Sequence, residues 1–125
     1  MKVFTTTIGQ LKQELIKDYN EVNLQLFEVG VRQQRVDIIS DKILFMTVHH
    51  RVSAIRSVDR KNREITRLMD VLLIDEFKRH LRLSIENKYG FKVVTILKDY
   101  DPETELAATV IVLDREVETY LKGKS

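Results

Sequence analysis

The spacing of apolar residues changes repeatedly along this chain, and those changes limit the folds open to it. Ile8, Leu11, Leu15, Tyr19, Val22, Leu26 and Val29 recur at steps of three and four, which lines one face of a helix. Arg35-Val36-Asp37-Ile38-Ile39 then alternates, and Lys42-Ile43-Leu44-Phe45-Met46-Thr47-Val48 is an apolar run rich in strand formers. Helical spacing returns at Ile65, Leu68, Leu72, Phe77, Leu81 and Ile85, within a stretch from Arg51 to Tyr89 that has neither glycine nor proline. Two more strand-like runs follow, from Phe91 to Lys98 and from Glu105 to Leu113. Helix, hairpin, long helix and hairpin predict an α+β fold: four mostly antiparallel strands in one sheet, with the helices packed on one face.

Local signals place the boundaries. Thr7 and Gln10 have the spacing of a capping box, and Gly30 is a natural helix stop. Asn20 and Asn23 mark where the first helix could break. Ser40-Asp41 is short enough for a tight hairpin turn. The second strand is apolar on both faces, which predicts a central strand or one covered on both sides. The long helix is expected to start near Ser57 and to stop at Gly90. Its turn Val71-Leu72-Leu73-Ile74 is apolar all round and is expected to be covered from more than one side, in the core or at a self-association surface. Asp101-Pro102 is the strongest turn signal, since aspartate can accept backbone hydrogen bonds and proline presets φ at the next position. The tail from Asp114 to Ser125 is polar apart from Val117, Tyr120 and Leu121, which reads as a short helix with a loose end.

At 125 residues with no linker-like stretch, the chain reads as one domain, 1–125, with an ordered core over about 8–113. There is no cysteine, so disulfides, thiolate metal sites and cysteine nucleophiles are excluded. The start, Met1 to Thr7, has no apolar run suited to a signal peptide or anchor, and no apolar run approaches the roughly 20 residues of a membrane span. Twenty-one basic against nineteen acidic residues leave a net charge of +2, which does not single out nucleic acid or anionic lipid as a partner.

Candidate contact residues fall in three groups. His49 and His50 end the second strand, where neighbours point to opposite faces, and His80 lies on the long helix. No zinc spacing surrounds them, so structural or surface histidines with pH-sensitive contacts are the plainer reading. Arg60, Arg63 and Arg67 follow helical spacing and could meet phosphates, but Asp59, Glu64, Asp70, Asp75 and Glu76 are interspersed, as on a solvated face with pairs such as Asp75 with Arg79. Asp99, Asp101, Glu103 and Glu105 crowd one turn without the glycine or the closing glutamate of a calcium loop. The Thr5-Thr6-Thr7 run lacks a glycine-rich phosphate loop, and no nucleophile elbow occurs. No cofactor is expected, and the chain is read as a non-enzyme.

The order of elements resembles a bacterial family described as the C component, Mps C, of a sodium-translocating membrane-potential-generating system. The resemblance runs from about Ile8 to Leu113. It is carried by Arg35-Val36-Asp37-Ile38-Ile39 with the apolar second strand, by Lys88-Tyr89-Gly90-Phe91-Lys92-Val93-Val94, and by the Asp99 to Glu105 turn with Thr109-Val110-Ile111-Val112-Leu113. It implies a cytoplasmic accessory protein, peripheral to the inner membrane through a partner such as a transporter subunit. It supplies no catalytic or ligand residues. The resulting expectation is a module that docks to proteins, itself included, through sheet edges and the long helix, without inserting into the membrane. The alternatives are a small-ligand or ion sensor using His49, His50, His80 or the acidic turn, and a nucleic-acid regulator using Arg60, Arg63 and Arg67.

Overall fold

The computed structural model describes residues 7–122. Helix α1, Ile8–Phe27, opens with the expected box: Thr7 Oγ1 accepts from Gln10 N–H and Gln10 Oε1 accepts from Thr7 N–H, both at 3.1 Å. The helix runs unbroken through its two asparagines. Asn23 donates to the Tyr19 carbonyl at 2.9 Å, while Asn20 Oδ1 accepts from Val31 N–H at 3.0 Å and ties the following link back to the helix. The stop falls at Glu28, in the left-handed region at φ 61°, and not at Gly30. Gly30 instead leaves room for the Asn20 amide: a Cβ there would lie 2.6 Å from Asn20 Oδ1.

Strands β1, Arg32–Ile39, and β2, Lys42–Val48, form the first hairpin, with Ser40 at φ 60° in its turn. Strands β3, Val93–Asp101, and β4, Leu106–Leu113, form the second. The four strands make one sheet in the order β1-β2-β4-β3, and every neighbouring pair is antiparallel. Both apolar strands, β2 and β4, are therefore central. Asp99 and Asp101 belong to β3, so the loop is shorter than expected. Asp101 Oδ1 accepts from Glu103 N–H at 2.9 Å, and Glu105, at φ 62°, closes the turn.

The long helical segment is two helices. Helix α2 spans Ser53–Asp59 and α3 spans Arg63–Tyr89. The break comes where Asn62 takes an extended φ of −152° and accepts from Ile65 N–H at 3.2 Å, which caps α3. Ser57 is no cap; inside α2 it donates to the Ala54 carbonyl at 2.8 Å. Gly90, at φ 71°, ends α3 as expected.

Helices α1 and α3 cover one face of the sheet. Leu11, Leu15 and Tyr19 from α1 and Phe77, Leu81 and Ile85 from α3 meet Ile43, Phe45 and Ile111 from the central strands, and all are fully buried. Each large side chain of this kind contributes about 1.5–3 kcal/mol on burial. Tyr19 stacks on Phe45 at 4.3 Å and meets Phe77 edge-on at 4.9 Å. Toward the end of α3, Lys88 Nζ bridges Glu14 at 2.8 Å and Asp18 at 2.9 Å, and the Tyr89 hydroxyl donates to Asp18. The tail adds helix α4, Val117–Lys122, which extends the ordered core beyond Leu113. Val117 is fully buried and Tyr120 accepts from Lys92 N–H at 2.9 Å. Thr5, Thr6 and the end of the tail, 123–125, lie outside the described residues.

Candidate docking face and ligand cleft

Among the described residues, one face of the sheet carries no helix. The pleat turns Ile43, Phe45 and Thr47 of β2, and Thr109, Ile111 and Leu113 of β4, toward α1 and α3. It turns Leu44, Met46 and Val48, with Ala108, Val110 and Val112, the other way, where they are half-buried. Leu97 on β3 and Ile39 on β1 extend this patch and are 57% and 56% exposed. The register arranges the outer face in rows: Arg35, Met46, Ala108 and Asp99 in one, Asp37, Leu44, Val110 and Leu97 in the next. The ends of the first row thus carry opposite charges. Arg35 Nε also reaches Asp37 at 3.1 Å on its own strand.

The first half of α3 presents a second apolar surface. Ile65, Leu68, Met69 and Leu72 fall at helical steps on its outside, and Leu68 and Leu72 are each 60% exposed. The turn expected to be covered all round is divided: Val71 and Leu72 face out, whereas Leu73 and Ile74 line a cleft.

That cleft lies where α2 and α3 lean over the ends of β2 and β3. It is half open to solvent: its cavity volume is about 50 Å³, within about 470 Å³ of empty space that includes the open mouth. Phe27, Val52, Ile55, Leu73, Ile74 and Phe77 make it chiefly apolar, and Lys98 stands among them. Lys98 Nζ donates to the Tyr19 hydroxyl at 2.9 Å and lies 3.7 Å from the centre of the Phe77 ring. The Tyr19 hydroxyl pairs in turn with Thr109 Oγ1 at 2.6 Å. Burial pulls the Lys98 pKa down to about 7 and pushes that of Tyr19 up to about 12. His49 packs between Phe27 and Tyr100, and burial, aided by Lys98, lowers its pKa to about 4.

The rim of the cleft is braced by ion pairs. Arg51, whose side chain is 4% exposed, holds Asp59 through Nε and Nη2 at 2.5 and 2.8 Å and Asp70 through Nη1 at 2.7 Å, fastening α2 to α3. Its hydrogen bond depresses Asp59 to about 2. Glu105, turned by its left-handed backbone, accepts from Arg51 N–H at 2.9 Å and Arg56 at 3.2 Å and pairs with His50 Nδ1 at 2.9 Å.

The three histidines do not converge. His49 and His50 border the cleft, and His80 pairs with Glu76 at 3.1 Å elsewhere on α3. Arg79 also pairs with Glu76, at 2.6 Å, and not with Asp75. Arg63 is tied to Asp70 at 3.4 Å and Asp59 at 3.8 Å. Arg60 and Arg63 border a groove that also contains Asp59, Glu103 and Glu105, and Arg67 lies exposed further along α3, so the basic stripe is charge-mixed. Asp99 faces outward on the sheet, Asp101 is used in the turn, and no group of acids or histidines suited to a metal ion occurs among the described residues. No described helix is long and apolar enough to cross a membrane. Sequence reasoning passed over Arg51 and Lys98. For Lys98 a signal existed: the alternation Ile96, Lys98, Tyr100 places it on the inward side of a strand. No protein-family model, curated protein or solved structure was found to match this chain.

Proposed function

We propose that this chain is a non-enzymatic accessory or regulatory module that acts by docking, as a homodimer formed through its open sheet face. The single observation that carries the reading is the one-sided sheet, whose two central strands present apolar side chains away from the helices. Sheets stack face to face with their strands nearly aligned, about 30° apart, which removes such a surface from water. A two-fold axis parallel to the strands lays β1 of one copy over β3 of the other. Because Arg35 and Asp99 share a row, that axis sets each Arg35 opposite the partner copy's Asp99. An axis across the strands would instead lay β1 over β1 and would not bring Arg35 to the partner copy's Asp99.

The outer stripe of α3 remains for a different protein. The Mps C resemblance suggests subunits of a cation-handling membrane system, which would hold the module peripherally at the inner membrane on the cytoplasmic side. The test is affinity capture of the tagged chain from gently solubilised membranes of its host, with mass spectrometry of what is retained. Stoichiometric transporter subunits, lost on Leu68→Glu with Leu72→Glu, are the expected result; recovery of the chain alone would overturn the membrane-system reading.

A further inference from the structure

We propose that the cleft under α2 and α3 binds a small monocarboxylate with an apolar body, its head group seated at Lys98 and His49 and its body against Ile55, Leu73 and Phe77. The amine of Lys98 is held away from bulk water by a hydroxyl and an aromatic ring, with no carboxylate within ion-pair distance among the described residues. A buried amine without a counter-charge is unfavourable, and an arriving carboxylate supplies the missing partner. The neighbouring acids are engaged: Asp70 by Arg51 and Arg63, and Glu105 by His50, Arg51 and Arg56.

The surroundings select the head group. Arg51, the guanidinium that lines the cleft, is already forked onto Asp59 and Asp70, so the bidentate donor that a phosphate favours is taken. What remains is one primary amine and one imidazole above apolar walls, enough for a single negative charge attached to a hydrophobic body.

Binding is linked to protons. Tyr19 from α1 and Phe77 from α3 touch the amine; Asp70 from α3, His49 after β2 and Tyr100 on β3 line the same cleft, with Arg51, His50 and Glu105 at the rim. Lys98 and His49 are the bases here, both shifted toward their neutral forms, so a bound anion draws a proton into the cleft when the solution is above neutral pH.

The experiment is calorimetric titration of the full chain with octanoate at about pH 8 in two buffers of different ionisation enthalpy, with octanol as the uncharged control. The expected result is octanoate binding with net proton uptake, preferred over octanol, and weakened at least about tenfold in Lys98→Met. Leu73→Gln, which keeps the amine, should weaken octanoate as well. The proposal is overturned if octanoate does not bind at about 5 mM, if it binds without proton uptake, or if Lys98→Met binds it as wild type does.

Discussion

Replacing Lys98 by methionine should make the protein more stable. The folded chain holds this amine at a pKa of about 7, against 10.5 for a free lysine, because burial penalises the ammonium. Below about 10.5 the unfolded chain takes up a proton that the folded chain accepts only near 7, so stability is lost as the pH falls through that window and regained as it rises. A shift of that size has a ceiling of about 4 kcal/mol at pH 7. The lost hydrogen bond to Tyr19 subtracts about 1 kcal/mol, and partial solvation of the amine reduces the figure further, leaving a gain of about 2 kcal/mol in Lys98→Met. For a chain of this length that corresponds to a rise in Tm of about 6–10 °C. Urea denaturation from about pH 7 to 9.5 supplies the second readout: wild type should gain about 1 kcal/mol per pH unit, and the variant should not. Higher pH is avoided because Tyr19 and Tyr100, both pushed up to about 12, oppose the trend once tyrosine in the unfolded chain ionises. A variant less stable than wild type at pH 7, or one with the same pH slope, would refute the reasoning.

Two other substitutions test the frame of the fold. Arg51→Ala leaves Asp59 and Asp70 without their shared guanidinium and should cost about 2–3 kcal/mol in urea denaturation, and Arg51→Lys should recover little because an ammonium cannot hold both carboxylates through a planar fork. Gly30→Ala places a Cβ 2.6 Å from Asn20 Oδ1 and should cost about 1–2 kcal/mol by displacing the amide from Val31 N–H, read as a lower urea midpoint.

Much of this fold is legible in the sequence because periodicity reports which face of an element is buried. The helical steps from Ile8 to Leu26 and the alternation at Arg35 to Ile39 led to α1 and β1, and the all-apolar β2 led to a central strand. Boundaries were lost where a single polar side chain decides between two continuations. Asn62 divides a glycine-free segment because its amide caps Ile65, and nothing in the apolar spacing marks that position. Glu28 ends α1 by taking the left-handed conformation two residues before Gly30. Among the candidate site residues, His49 and His50 do border the cleft, but His80 is held by Glu76 on another part of α3. Lys98 escaped notice because a charged residue in a strand suggests the solvent side, whereas its register sets it beneath Phe77. The apolar outer face was legible in β2 alone; only the pairing of β2 with β4 shows that it is continuous across the sheet.

The dimer account rests on Arg35 and Asp99 meeting across a two-fold axis, and sedimentation equilibrium of a charge-swap set tests it most directly. Wild type should sediment at twice its 14.7 kDa, Arg35→Asp and Asp99→Arg should each shift toward monomer by opposing like charges, and the double variant should return to dimer. A monomeric wild type, or single reversals that leave the dimer as strong as before, would contradict it.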